Sequence, residues 1–295
     1  MERSPVMVER VVVAVDGGPA STAALDWALE RAKVLPISLE LTTVVDLGWA
    51  PAGGPDDDFR PIYERALSDA TQRVEHEVPD IKKTSYVRRG VPADELVRAS
   101  ASADLLVIGT NKTGFLAGAV YGTLPLRLAA HSHCPVVVVP ATWNPTAGTV
   151  VVGLEDDATA EVALSFAAAE ATRLGRVLDI IHAWSIPATV AVEYGAVIPF
   201  DELRDAHAAI LAEAAGRVRT AHPGLEVREV LEQGPAAMVL VDASGEAELV
   251  VVGTHGRGAV GSLFLGSVSH DVLLNLTCPV AVIPRPERLP DRVEP

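Results

Sequence analysis

The residues of this chain best placed to do chemistry are glycines and serines rather than acids, bases or nucleophiles. The segment Gly253-Thr-His-Gly256-Arg257-Gly258-Ala-Val-Gly261-Ser-Leu-Phe-Leu-Gly266-Ser267-Val268-Ser269 follows an apolar run and has the spacing G-x2-G-x9-G-S. Glycines allow tight turns and let backbone N–H groups close on an anion. Gly266-Ser267 opening a helix would add unpaired N–H donors, two hydroxyls with Ser269, and the positive end of a helix dipole. The expected chemistry is a phosphate cradle. A Gly-rich connection with Ser267 as an N-cap is also ordinary turn chemistry, and it is the position after a buried strand that favours phosphate. His255 lies inside the same segment and reads equally as a phosphate contact or a plain loop histidine.

Other reactive types form no comparable pattern. There is no Ser-His-Asp order, paired-carboxylate motif or Walker lysine. No catalytic residue is therefore expected, and the chain reads as a non-enzyme. His131, His133 and Cys134 lack a fourth ligand, and Asn275 and Thr277 stand at the equivalent places 144 residues on, so no metal site is expected. Asp56-Asp57-Asp58 sits among glycines and prolines and reads as a solvated acidic run.

The elements that must hold the cradle are written twice. Val107–Pro140 aligns without a gap on Val251–Pro284 at an offset of 144, and ten of the 34 positions are identical, among them Gly109/Gly253, Gly122/Gly266 and Cys134/Cys278. A repeat of that length is a whole domain rather than a solenoid unit. The halves are expected at 8–141 and 148–285, joined by a linker carrying Pro145 and Gly148.

Within each half, short aliphatic runs alternate with helical patterns. In the first, strands are expected near 10–15, 38–45, 84–89, 104–110 and 135–139, with helices near 21–35, 60–77, 93–101 and 123–131. In the second, strands are expected near 149–154, 177–183, 226–231, 249–254 and 279–283, with helices near 159–174, 201–220, 235–244 and 268–276. That order predicts an α/β chain of two tandem doubly wound, Rossmann-like domains, each a five-stranded parallel sheet flanked by helices. Ligands then belong beyond the carboxyl ends of the strands. The two clefts are expected on separate sheets.

The 295 residues are 49% hydrophobic and only 4% aromatic, which suits aliphatic strands buried on both faces. A net charge of −15 without a Lys/Arg cluster argues against nucleic acid or an anionic membrane surface as partner. Neither a signal-peptide core nor a long apolar span is visible, so a soluble, cytoplasmic protein is expected. Cys134 and Cys278 read as small buried residues at strand entrances.

Taken together, Val11-Val-Val-Ala-Val15-Asp16-Gly17-Gly18 with Ser21, Leu249-Val-Val-Val-Gly253 through Ser269, and Thr277-Cys-Pro-Val280 resemble the universal stress proteins in their tandem form. The resemblance implies bound ATP, with or without Mg2+, a role as a nucleotide-dependent regulator of an unknown protein partner, and a homodimer. It further implies that the final strands pair the two halves as a pseudo-dimer. In the second half it places phosphate and ribose on Gly253, Gly256, Arg257, Gly258, Gly266, Ser267, Val268 and Ser269, and adenine against the backbone of Ala183. The family's aspartate falls on Glu155, one methylene longer, with Asp156 beside it. In the first half it implies Asp16, Val44, Gly109, Gly122 and Thr123. There Lys112 replaces the second glycine, and Pro125 removes an N–H donor. The alternatives are a stress scaffold with vestigial clefts, or a nucleotide hydrolase on the same fold.

Overall fold

The computed structural model describes residues 8–46, 60–111, 123–155, 158–185, 200–254 and 265–285. The first half runs β1 (Glu9–Ala14), α1 (Pro19–Val34), β2 (Ile37–Val45), α2 (Arg60–Glu77), β3 (Lys82–Arg89), α3 (Pro92–Ser100), β4 (Leu105–Thr110), α4 (Thr123–His131) and β5 (Val136–Pro140). The second runs β6 (Thr149–Gly153), α5 (Ala158–Leu174), β7 (Leu178–Trp184), α6 (Phe200–Ala221), β8 (Val227–Gln233), α7 (Ala236–Ala243), β9 (Ala247–Gly253), α8 (Ser267–Asn275) and β10 (Val280–Ile283). Each half is the expected parallel α/β unit.

One expectation is corrected. The halves do not carry separate sheets; their strands form one ten-stranded sheet in the order β3-β2-β1-β4-β5-β10-β9-β6-β7-β8. All neighbours are parallel except at the central seam, where β5 and β10 pair antiparallel with Val137 opposite Ala281. Reversal at the seam sends the carboxyl ends of the two halves to opposite edges. The two carboxyl edges therefore face away from each other and cannot share a composite site.

The sequence explains the layers. β5 is Val-Val-Val-Val-Pro and buried throughout, as a strand covered on both faces should be. The outer strand β3 instead carries Lys82, Lys83, Arg88 and Arg89 and is largely exposed, which guards an edge against pairing with other chains. One face of the sheet is covered by α1, α2, α5 and α6, the other by α3, α4, α7 and α8. The apolar stripe of α1 is Ala24, Leu25, Ala28 and Leu29; α5 repeats it as Ala163, Leu164, Ala167 and Ala168.

A charged residue interrupts the first stripe. Arg31 is buried, its Nε and Nη2 donating to Glu9 at 2.8 and 3.0 Å, and its Nη1 and Nη2 to Glu170 of α5 at 2.5 and 2.8 Å. Burial works against the guanidinium charge, but the bonds to Glu170 and Glu9 outweigh it and hold the pKa above the usual arginine value. This bond ties the two halves together through their cores.

Cys134 and Cys278 are free and buried, as expected. Burial pushes the Cys278 thiol up to about 12, and burial with the nearby Asp104 charge pushes Cys134 higher still. Neither should react with a thiol reagent in native protein at pH 8, while both should react after unfolding; rapid labelling of native protein would contradict this. The raised folded values also fix a sign. The unfolded chain loses these protons first, so the thiols' contribution to stability should be constant below about pH 9 and fall above it.

Candidate functional site

The first half builds its site at the end of β1. Gly17 has φ +82°, and a Cβ there would approach Ala66 Cβ at 2.9 Å, so only glycine turns the chain at that point. The Gly18 N–H donates to Asp16 Oδ1 at 2.8 Å, the Asp16 N–H donates to Ser21 Oγ at 3.3 Å, and Ser21 Oγ donates to Gly18 O at 3.0 Å. This knot presents the Asp16 carboxylate at the sheet edge. Gly109 has a different reason: a Cβ would run into the Ala20 carbonyl, so glycine lets the start of α1 lie directly on β4.

Beside the knot lies a cleft of about 540 Å³ at the carboxyl ends of the strands. Its floor is Ala14, Val44, Leu96, Ile108 and Leu124, and its polar rim includes Asp16, Ser21, Thr42, Asp46, Tyr63 and Asn111. The volume and the apolar-floor, polar-rim division suit a small-molecule pocket. Its described lining has two carboxylates and no Lys or Arg, which favours a flat, uncharged ring with N–H or O–H donors over an anion. Phosphates would have to lie outward, toward the N-terminus of α4. There Thr123 opens the helix, Leu124 enters the cleft wall, and Pro125 has no N–H to offer. Gly122 and Lys112 lie outside the described residues.

Of the residues that the resemblance implies for the first half, Asp16, Val44 and Gly109 line this one cleft. Tyr63, Thr42, Asp46 and Asn111 were not predicted. Tyr63 was detectable in principle, because it stands 144 residues before His207 on the equivalent helix.

The second half keeps the frame but fills it differently. Gly234 N–H donates to Trp184 O at 2.9 Å, just as Gly90 N–H donates to Val45 O at 3.1 Å in the first half. Ala183 is the penultimate residue of β7, just before Trp184, and Glu155 follows β6. Where the first half has Thr43 and Tyr63, the second has His182 and His207, with His182 Nε2 2.8 Å from His207 Nδ1. His182 Nδ1 donates to the Leu154 carbonyl at 2.9 Å, so its Nε2 is the acceptor when the ring is neutral. His207 also stacks on Trp184, with centroids 5.4 Å apart. This ring cluster was not predicted; its signal was a buried histidine, His182, two residues before Trp184 in the same strand.

At α8, the Gly266 N–H donates to Thr254 O at 2.7 Å, pinning the end of the glycine segment back onto the end of β9. Gly266 is the N-cap with φ −63° and ψ 153°, and no side chain caps the helix. The first N–H groups, those of Ser267, Val268 and Ser269, have no intrahelical acceptor by construction and are the natural anion donors. The Ser269 hydroxyl is different from expectation: it is buried and donates inward to Gly266 O at 3.0 Å, leaving Ser267 as the exposed hydroxyl. Gly253 ends β9, while His255, Gly256, Arg257 and Gly258 lie outside the described residues, as do Asp56, Asp57, Asp58 and Asp156. Among the described residues no group of three His, Cys, Asp or Glu side chains is placed to hold a metal, and no helix is long and apolar enough to cross a membrane.

Comparison with known proteins agrees with this frame. A universal stress protein of Mycobacterium tuberculosis is 32% identical over 289 residues, covering 92% of this chain and 96% of its own. A second from the same organism is 31% identical over 302 residues, covering 94% and 95%. The crystal structure of a universal stress protein from Archaeoglobus fulgidus superposes with a TM-score of 0.68 at 20% identity, over 94% of this chain and 98% of that one, which bears on the fold. The family model described as the universal stress protein family matches twice, at residues 7–140 and 147–284. With the double match, full-length relatives and a sheet joined through its last strands, the chain belongs to the universal stress protein family as a tandem two-domain member.

Proposed function

We propose that this chain binds an adenine nucleotide, ATP with Mg2+ among them, and acts in the stress response as a nucleotide-dependent regulator with little or no hydrolysis. The observation that carries the reading is the cleft of about 540 Å³ beside Asp16 in the first half. Val44 and Ile108 offer apolar contact to a base. Asp16, Ser21 and Asn111 offer acceptors and donors to a ribose. In the second half the bare N-terminus of α8 supplies phosphate donors, and Ala183 and Glu155 would meet the adenosine part. The rim offers the carboxylates Asp16 and Asp46 and no described histidine or lysine, so any activation of water would fall to an aspartate; the expectation of slow chemistry rests on the missing catalytic motifs of the sequence.

A second reading, a stress scaffold that binds no nucleotide, draws on two departures, Pro125 at the start of α4 and Glu155 in place of aspartate. Thermal unfolding separates the two. A ligand at about 100 times its Kd stabilises by about 2.7 kcal/mol, and a domain pair of this size gains about 2–4 °C per kcal/mol. Millimolar ATP with Mg2+ should therefore raise Tm by several degrees. An unchanged Tm with ATP, ADP and AMP alike would support the scaffold.

A further inference from the structure

Arg31 and Glu170 occupy one and the same position of the duplicated domain. At an offset of 139, Val11–Val15 falls on Val150–Leu154, and the stripe of α1 falls residue for residue on that of α5. Ala24 and Ala163, Leu25 and Leu164, and Ala28 and Ala167 are equally buried at equivalent places. Arg31 and Glu170 are the next pair in this series, and they meet each other across the β5–β10 seam with side chains 2% and 1% exposed. A residue that touches its own counterpart lies beside a pseudo-twofold axis. In any pairing of like halves it would meet a copy of itself.

We propose that this position is a pairing code: the seam accepts an unlike half, basic at 31 against acidic at 170, and rejects a like one. The geometry of the guanidinium makes the code strict. One fork, Nε and Nη2, is filled by Glu9 of its own half; the other, Nη1 and Nη2, points across the seam and is filled by Glu170. In a seam of two first halves, each second fork would face another guanidinium. In a seam of two second halves, two carboxylates would face each other, each keeping only Arg173, whose Nη1 lies 3.2 Å from Glu170. A buried guanidinium or carboxylate without its partner is strongly unfavourable, whereas an apolar pair at the same place is close to neutral. The pair therefore contributes choice of partner more than stability. The partner that fits is a half with an acid at the α5 position, namely the chain's own second half or the same half of a second copy. Any assembly of chains must otherwise use a different surface.

The seam supplies its own reporter. Val137 lies opposite Ala281, so in an antiparallel seam of two first halves Val137 would lie opposite a second Val137. Directly opposed residues are close enough for a disulfide. Full-length chains carrying C134A, C278A and V137C are refolded together under oxidising conditions at high concentration, with and without R31M/E170M. A third chain with V137C and A281C shows that the positions oxidise within a correctly closed seam. The code predicts almost no disulfide-linked dimer in the Arg31/Glu170 background and at least a tenfold larger share with R31M/E170M. Equal shares in the two backgrounds, or none in both while the third chain oxidises, would overturn the proposal. Because R31M/E170M leaves Glu9 and Arg173 facing each other at 3.8 Å, it should fold with a Tm close to the parent's. A large fall in Tm would equally contradict a role in partner choice.

Discussion

Gly266→Val is expected to remove nucleotide binding in the second half, lowering affinity there at least tenfold while leaving the fold intact. The backbone at Gly266 is extended, with φ −63° and ψ 153°, a conformation that valine adopts without strain. Its N–H bond to Thr254 O is made by the backbone and survives the change. What the substitution adds is two methyl groups at the mouth of a helix whose first N–H groups must touch the anion. Loss of a charge-assisted bond to such a donor costs about 1.5–3 kcal/mol, so losing even one gives about the tenfold fall, and losing two or three gives more. Valine is a poorer N-cap than glycine, which should cost on the order of 1 kcal/mol of stability. Titration calorimetry on the variant, with Tm measured alongside, checks both halves of the statement. Unchanged affinity would show that phosphate does not use this helix start.

Arg31→Met alone should be the most destabilising single substitution at the seam. It leaves the Glu170 carboxylate inside the core with only Arg173 beside it. Removing one partner of a buried ion pair costs about 3–5 kcal/mol, equivalent here to a fall of roughly 10 °C in Tm. Glu170→Met should cost less, because Arg31 keeps both bonds to Glu9. The double variant should recover most of the loss, giving a coupling energy of several kcal/mol in a double-mutant cycle. Additive losses would mean that the two residues act separately, despite their 2.5 Å contact.

How much of this was legible before the structure depends on the kind of interaction. The repeat and the alternation of strands and helices were plain, because burial of β4 and β5 on both faces forces unbroken aliphatic runs. Asp16 was legible through the family resemblance, as the aspartate that follows the first strand and precedes Gly17-Gly18. The start of β3 was missed: Lys82 and Lys83 look like loop residues, and only pairing with Ser38 and Leu39 makes them strand. The single sheet was legible only in part: the family resemblance implied pairing of the final strands, as β5 and β10 do pair, but the fusion of both halves into one sheet depends on contacts 144 residues apart, which periodicity cannot register. Arg31 carried a signal, a charge within an apolar stripe, but its partner lies in another helix and no local rule connects them. The same limit hid Tyr63 and the His182–His207 contact, each made between a strand end and a helix distant in sequence. Site residues set by backbone geometry were readable; those set by tertiary pairing were not.

The central claim is that adenine nucleotide enters the edge of the first half beside Asp16. Its most direct test is titration of purified chain with ATP and Mg2+ in a calorimeter, run in parallel on Asp16→Ala. Saturable heat with at least one site per chain, weakened about tenfold or more in the variant, is the predicted result. No heat of binding at millimolar ATP, or identical curves for the two proteins, would contradict it.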